Sequence, residues 1–223
     1  MSSLRDRKRA RTRQALIDAA VDLFERHGYD RTGVADIAAA ADVGTRTFFR
    51  YFPSKEALLF PESDDRIRAA VEAIAGRGPD EGPAEVLLRA LRTVTTDSEE
   101  LGSRLAALRL RLIREVPVVR GRALQLQLDA QREIARHLAA AYPEQLDPVA
   151  AAALVGAFVG AVAGALQVLL DDADQAADPA TVQAALRRAT DIALTGWTAA
   201  APTGPAVSPA GRPRRPGGPA PDG

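Results

Sequence analysis

A run of polar, cationic and aromatic residues from Thr45 to Tyr51 has the chemistry of a surface that reads DNA bases. Arg46 is the strongest candidate, because an arginine guanidinium pairs bidentately with guanine in the major groove. Thr45 and Thr47 can each contact a base, a thymine methyl group or a phosphate. Arg50 is either a further DNA contact or a solvated charge. The run therefore predicts a DNA-contacting helix.

The aromatic residues of this run divide between the two sides of the helix. Phe48 and Phe52 are four residues apart, so they share one side and are predicted to be core. Phe49 falls on the opposite side with the polar residues, and Tyr51 is placed to reach a phosphate. Pro53 ends the helix, because the residue before a proline avoids helical backbone angles.

A second apolar helix must precede this one and position it. The spacing predicts a helix from Val34 to Ala41, with its apolar residues on one face. Residues 42–44 then form a tight break, in which Gly44 is expected to supply the backbone freedom. Two short helices joined in this way form a helix-turn-helix, whose second helix lies in the DNA major groove.

These helices resemble the DNA-binding unit of the TetR family of bacterial transcriptional regulators. The resemblance covers residues 15–59 and depends on fixed residue types at fixed offsets across three helices. Those residues are Val34-x-Asp36-Ile37-Ala38, then Val43, then Thr47-Phe48-Phe49-x-Tyr51-Phe52-Pro53-Ser54-Lys55-Glu56-Ala57-Leu58. The resemblance implies an all-α fold, with an N-terminal three-helix DNA-binding domain and a larger C-terminal helical bundle for ligand binding and dimerisation.

The sequence departs from the family pattern near the turn and on the reading helix. Gly33 stands where a second threonine is common, and Asp42 replaces a frequent glycine. Gly44 replaces a frequent serine, which removes a capping side chain from the reading helix. Phe49 stands where the family often has tyrosine, so a phosphate hydrogen bond is exchanged for packing against a sugar or a methyl group.

Lys55 and Thr32 complete the predicted DNA contacts. Lys55 is a cation in the first turn of a helix, where it opposes the helix dipole, so its placement is either chance or a phosphate contact. The resemblance implies a phosphate contact. Thr32 can cap the second helix, reach a phosphate, or do both. The full predicted set is Thr32, Gly33, Thr45, Arg46, Thr47, Phe49, Arg50, Tyr51 and Lys55.

The chain begins with a basic run in residues 1–13 that precedes a helix predicted from Thr12 to His27. Its cations are Arg5, Arg7, Lys8, Arg9, Arg11 and Arg13. Such a run is either a solvated tail or an arm that follows phosphates or a minor groove. Residues 1–60 carry eleven Lys or Arg and eight Asp or Glu, so this part is basic although the whole chain has a formal net charge of +0.

The composition favours packed helices and excludes several site types. Hydrophobic residues make up 47% of the 223 residues, aromatics only 4%, and there is no cysteine, so disulfides and thiolate metal sites are excluded. No catalytic constellation, phosphate-binding loop or metal-ligand set is recognisable, so the chain is predicted to be no enzyme and to carry no cofactor or metal. Its charged N-terminus predicts no signal peptide and a cytoplasmic location.

The remainder is predicted to be helical. A fourth helix, capped by Ser54, runs to Ala75 with a kink or break near Pro61, beyond which Ser63 can cap it again. Further helices are expected at 84–95, 98–114, 118–141, 147–171 and 179–199, and no segment predicts a strand. The predicted domains are residues 1–53 for DNA binding, 54–200 for ligand binding and dimerisation, and 201–223 as a disordered tail rich in Pro, Gly and Ala.

Residues 149–170 carry no charge, which by length alone is compatible with a membrane span. The content is mainly Ala and Gly and both flanks are acidic, so we predict a buried helix of a protein with no membrane partner. The resemblance implies that the last two helices form a dimer interface. Its predicted residues are Gly156, Gly160 and Gly164 with the apolar face Val182, Leu186, Ala189, Ala193 and Trp197.

A small-molecule pocket between the body helices is predicted to be apolar. Its candidate residues are Leu108, Leu112 and Phe158, with Gln125, Gln127 and Gln167 as polar contacts. The predicted function is a dimeric repressor that binds a palindromic DNA operator and is released by a small apolar or amphipathic effector of unknown identity. The alternative is a helical regulator controlled by a protein partner without a small molecule.

Overall fold

The structure is a computed structural model, and it describes residues 4–96, 104–171 and 179–199. Helices fill most of these ranges, and the described residues contain no strand, so the predicted all-α fold is confirmed. The elements are α1 (Leu4–His27), α2 (Val34–Ala40), α3 (Thr45–Tyr51), the 3₁₀ helix η1 (Glu56–Leu59), α4 (Ser63–Ala75), α5 (Pro83–Thr96), α6 (Arg104–Glu115), α7 (Pro117–Ala141), α8 (Pro148–Asp171) and α9 (Pro179–Ala199).

The structure places most boundaries close to their predicted positions. The reading helix has its predicted bounds, and the body helices α5, α7, α8 and α9 agree within one residue. The predicted start of the 98–114 helix and the tail 201–223 lie outside the described residues. The first helix differs most, because α1 begins at Leu4 instead of Thr12, so the basic run is helical. Arginine, lysine and alanine are strong helix formers, which explains the extension.

The segment around Pro61 also differs from the prediction. Instead of one kinked helix from Ser54 to Ala75, a four-residue 3₁₀ helix is separated from α4 by a turn. Ser54 caps no helix, since the residue before η1 is Lys55, and the α4 N-cap is Glu62 with no side-chain cap hydrogen bond. Proline has no backbone N–H to donate to a helical hydrogen bond, so the helix is interrupted completely at this point.

The described residues form two hydrophobic cores. The first unites α1, α2, α3 and η1 with Leu108 and Leu112 of α6 and Val119 of α7. The second joins α4, α5, α7, α8 and α9, and Phe158 packs against it. Leu108 and Leu112 therefore support the DNA-binding unit, while Phe158 lies against the other core, and the pocket proposed to join them stays a prediction. The predicted boundary at residue 53 stays a prediction, although Leu58 and Leu59 belong to the first core.

Polar contacts reinforce the attachment of α6 to the first core. Buried Arg109 donates from Nη1 to the Leu59 carbonyl at 3.2 Å. Arg104 Nη2 donates to Asp22 at 2.8 Å and to Glu25 at 2.5 Å, which joins the start of α6 to α1. The N-terminal unit is thus held to the body through α6 as well as through the chain connection.

The α8 helix is apolar but poorly covered within one chain. Its residues 148–169 are long and apolar enough to cross a membrane by length and composition, yet only 22% of the segment is buried. The buried side packs through Ala151, Leu154 and Val155. On the other side, a Cβ atom built on Gly156, Gly160 or Gly164 meets nothing within 4 Å. The single chain therefore covers only one side of α8, and burial of the other side stays a prediction.

Part of the predicted interface face of α9 is buried within the chain. Val182 and Leu186 are 6% and 3% exposed and pack against the chain's own helices, whereas Ala189 and Ala193 are half-buried and their place in an interface stays a prediction. Ile192, on another side of the helix, is 70% exposed. A period of 3.6 residues identifies an apolar face without saying what covers it. The Trp197 side chain lies outside the described residues.

Candidate nucleic-acid interface

The reading helix α3 is fixed by its aromatic residues. Phe48 is 0% exposed and Phe52 is 3% exposed, with 6.1 Å between their ring centres. Phe49 packs edge-on against Phe48 at 5.3 Å between ring centres but remains 56% exposed. Thr45, Arg46 and Arg50 are also exposed. The structure thus brings these predicted contacts together on the open side of one anchored helix.

The other predicted contacts of α3 are less open. Thr47 and Tyr51 are half-buried, and the Arg50 guanidinium lies 5.4 Å from the centre of the Tyr51 ring. This contact places a cation beside the phenol at the C-terminal end of the helix, where a phosphate can meet both groups.

The turn before α3 differs from the sequence interpretation. Asp42 has a φ of 54°, whereas Gly44 has a φ of −80° and an extended backbone that any residue adopts. The amide of Asp42 donates to Ala39 and that of Val43 to Ala38, at 3.1 and 2.9 Å. These two bonds form a Schellman motif, in which the residue after the helix cap is left-handed and usually glycine. The backbone freedom is therefore needed at Asp42 and not at Gly44.

Gly44 is the N-cap of α3 and provides no side-chain cap hydrogen bond. Its replacement of serine therefore leaves the first amides of the reading helix to water or to a ligand.

Thr32 does not have either of its predicted roles. It is 2% exposed, and its hydroxyl donates to the Gly28 carbonyl at 2.9 Å inside the loop between α1 and α2. Gly33 is the N-cap of α2, and its exposed amide donates to the Asp36 carboxylate at 2.8 Å. A single hydroxyl buried in a loop cannot also face a phosphate.

The Lys55 side chain forms hydrogen bonds with the same loop. Its Nζ donates to the carbonyls of Tyr29 and Thr32 at 2.9 and 3.1 Å, and lies 3.9 Å from the centre of the Tyr29 ring. These contacts join the start of η1 to the loop before α2. Sequence reasoning missed this role, because the carbonyls come from residues more than 20 positions away. Its phosphate contact remains a prediction, with one ammonium hydrogen available beyond the two donated.

Tyr29 and Glu56 extend this network. The Tyr29 hydroxyl donates to the Glu56 carboxylate, and burial together with that carboxylate raises the tyrosine pKa. Burial tends to raise the pKa of Glu56, but hydrogen bonds from Ser54 and Tyr29 and the charge of Lys55 outweigh it and lower the pKa. Glu56 therefore stays ionised, and it balances the Lys55 charge where loop and 3₁₀ helix meet.

Arg13 does not belong to a free arm, because its side chain contacts residues of the folded unit. Its Nη2 donates to the Pro61 carbonyl at 2.5 Å, and its guanidinium lies 5.2 Å from the centre of the Phe52 ring. It holds α1 to the end of α3 and to the break before α4. The remaining cations of the basic run lie on the exposed first turns of α1.

Residues 16–60 match the family model for bacterial regulatory proteins of the tetR family. Among curated proteins, the chain is 33% identical over 149 residues to the HTH-type transcriptional regulator TcmR of Streptomyces glaucescens, across 65% of this chain and 66% of that protein. It is 35% identical over 100 residues to the HTH-type transcriptional repressor LfrR of Mycolicibacterium smegmatis, across 45% of this chain and 50% of that protein. The matches thus span between half and two thirds of those relatives.

Solved structures share the fold. FadR of Thermus thermophilus, a transcriptional repressor crystallised with lauroyl-CoA, superposes with a TM-score of 0.52 and 22% identity, covering 86% of this chain and 98% of that one. SmeT, the repressor of a multidrug efflux pump in Stenotrophomonas maltophilia, gives 0.53 and 17% identity, covering 82% and 89%. At these identities the likeness concerns the fold alone.

The turn provides a stability test. Asp42→Ala should lower the free energy of unfolding by about 1 kcal/mol, because alanine lacks the local hydrogen bonding that lets aspartate tolerate left-handed angles. Asp42→Gly should cause no such loss. Gly44→Ser is the matched control and should cause no loss of stability, since its new Cβ meets nothing within 4 Å and serine is a favoured N-cap residue. Urea unfolding measures all three, and a loss for Gly44→Ser as large as that for Asp42→Ala would contradict the assignment.

Proposed function

Because the chain belongs to the TetR family of bacterial regulatory proteins, we propose that this DNA-binding transcriptional regulator is a repressor that binds a palindromic operator as a two-fold dimer and is released by a small apolar or amphipathic effector. The observation that carries the proposal is the open face of α3, where Thr45, Arg46, Phe49 and Arg50 are exposed on a helix anchored by Phe48. LfrR, a relative that is named as a repressor, supports the direction of regulation.

Each side chain of this face has a proposed role. Arg46 pairs with a guanine, and Thr45 and Thr47 contact a base or a phosphate. Phe49 has no hydrogen-bonding group, so it packs against a sugar or a thymine methyl group. Arg50 with Tyr51 and Lys55 contact phosphates, whereas the Gly33 amide already donates to Asp36. These phosphate contacts place α3 on the duplex, and the contacts of Arg46 provide most of the sequence preference.

The dimer is proposed to form through the uncovered side of α8. A seven-residue reading helix contacts few base pairs, so two copies about 34–36 Å apart are expected to read successive major-groove faces. The Gly156, Gly160 and Gly164 ridge is apolar and open in the single chain, and Val149 and Val168 are 77% and 71% exposed beside it. Small residues allow the α8 helices of two chains to approach closely, and a two-fold axis makes the same surface serve both.

The effector is proposed to bind within the body, in residues 54–200, and to favour a DNA-incompetent arrangement. The α6 helix couples the body to the DNA-binding unit, because its residues Leu108, Leu112 and Arg109 pack into the core of that unit. A ligand that shifts α6 changes the support of α3 only if it binds that shifted state more tightly. Gln125 and Gln167 are exposed, so they are available as polar contacts only if a ligand reaches the surface of α7 or α8.

The base-reading role has a direct test once bound DNA fragments have been selected and sequenced. Arg46→Ala should weaken operator binding by about 1–3 kcal/mol and relax the base preference at one position of each half-site. Binding to a library of single-base operator variants measures the preference. Uniform weakening across the library would show that Arg46 contacts only phosphate.

Lys55→Ala distinguishes a phosphate contact from a role confined to the contacts with the loop carbonyls of Tyr29 and Thr32. If Lys55 contacts phosphate in each chain, the variant should bind all sequences more weakly and lower the slope of log affinity against log salt by about one unit for each lost contact. Lower thermal stability with an unchanged salt slope would assign Lys55 to the loop alone.

The dimer surface is tested with two glycines in equivalent surroundings. Gly160→Leu should dissociate the dimer, because a side chain on this ridge fills the space that a second α8 would occupy. Gly121→Leu on α7 is the matched control, since a Cβ at either glycine meets nothing within 4 Å in the single chain. Light scattering at micromolar concentration should find a monomer for the first variant and a dimer for the second. A wild-type monomer that binds a palindromic site tightly would refute the dimer.

Effector release is tested with a panel of apolar and amphipathic compounds, including lauroyl-CoA as one probe. A compound that raises the melting temperature of the protein should also release the operator in a fluorescence anisotropy assay, because its binding favours the DNA-incompetent state. Compounds that stabilise the protein yet leave operator affinity unchanged would count against effector release.

A further inference from the structure

The first turns of α1 form a basic extension, residues 4–15, that precedes the core. The first residue of α1 that the core buries is Leu16, at 0% exposure, and the family match also begins at residue 16. A helix rises about 1.5 Å per residue, so the extension adds roughly 18 Å of helix before the DNA-binding unit proper. It is therefore an addition to the shared domain and has no part in holding the helix-turn-helix together, Arg13 excepted.

Like charges dominate the basic extension. Arg5, Arg7, Lys8, Arg9 and Arg11 are all exposed, against the single acidic residue Asp6. The pairs Arg5–Arg9 and Arg7–Arg11 are each four residues apart, where like charges destabilise a helix. The two pairs lie on different sides, so the helix is cationic around most of its circumference. A neighbouring polyanion would relieve this repulsion and release its own counterions.

Arg13 places the basic extension beside the reading helix. Its guanidinium lies over the Phe52 ring and its Nη2 donates to the Pro61 carbonyl, and Phe52 is the C-cap of α3. The extension therefore leaves the core near the C-terminal end of α3. When α3 lies in the major groove, the sugar–phosphate backbone passes close to both of its ends.

We propose that the basic extension lies along the phosphates of the DNA that flanks each half-site, and this proposal rests on the proposed operator binding. A basic arm can follow phosphates or enter the minor groove, and the helical conformation of the basic extension decides between these two possibilities. An α-helix with side chains is about 10–12 Å across, whereas the minor groove of B-DNA is about 6 Å wide, so a helix cannot enter it as an extended arm does. Contacts with phosphates carry no information about the base sequence, so the extension adds affinity and salt dependence without changing the operator that is recognised.

Two duplexes carrying the same selected operator test the proposal with the full chain. One ends at the outer edges of the half-sites, and the other continues for about ten base pairs on each side, roughly one helical turn. The test variant replaces Arg5, Arg7, Lys8, Arg9 and Arg11 with glutamine, which keeps helix propensity while removing five charges. The matched control replaces five arginines of the body helices, namely Arg92, Arg111, Arg122, Arg132 and Arg136. Both variants change the net charge equally.

Wild type and control should bind the longer duplex at least about tenfold more tightly than the shorter one in ~0.1 M salt, and the test variant should lose that difference. Its salt slope on the longer duplex should fall by about two units or more, since each lost phosphate contact accounts for roughly 0.9. Circular dichroism verifies that the helical content of the variants is unchanged.

Three results would overturn the proposal. Equal affinity of the wild type for both duplexes would show that the flanks are not contacted. An equal loss for control and test variant would indicate overall charge instead of a local contact. Dependence of wild-type affinity on A·T content in the flanks would indicate minor-groove insertion. A wild-type protein that binds neither duplex would instead refute the operator binding on which the proposal rests.

Discussion

The interface depends on the burial of Phe48, because α3 has only seven residues and a helix so short is not stable alone in water. Its ring is fully enclosed in a core built from α1, α2 and η1, and Phe52 extends the same anchor beyond the helix end. Burying an aromatic side chain of this size contributes about 1.5–3 kcal/mol, which fixes both the position and the rotation of the helix. The exposed face of Arg46 and Phe49 is a consequence of that rotation.

The same core connects DNA recognition to the body. Leu108 and Leu112 of α6 complete the core that buries Phe48, and Arg109 donates to the Leu59 carbonyl from a buried position. A close-packed interior transmits displacement, because its side chains have few alternative arrangements. Movement of α6 therefore alters the packing that supports the DNA-binding unit, whereas a change confined to the uncovered side of α8 need not alter that packing. This difference separates the proposed effector response from the proposed dimer contact.

Several features follow from local sequence alone. The four-residue spacing of Phe48 and Phe52, with Pro53 behind them, determined the extent of α3 and which of its sides faces outward. Proline and glycine between apolar segments likewise determined α5, α7, α8 and α9 to within a residue, and residue types at fixed offsets from Val34 to Leu58 determined the family. These properties depend on neighbours within about four positions, where side-chain spacing and backbone preferences act directly.

Only the tertiary structure decided what each face meets. Lys55 has the charge of a phosphate ligand, yet the fold directs its ammonium group to two carbonyls of the loop before α2, more than 20 residues away. Leu186 lies on a regular apolar face of α9, but its own side chain is covered by the same chain, while the glycine ridge of α8 is left open. The turn required its left-handed residue at Asp42, one position after the helix cap, although glycine stands two residues later. Periodicity specifies that a surface is apolar or polar, whereas its partner depends on distant segments whose approach is determined by the packing of the whole chain.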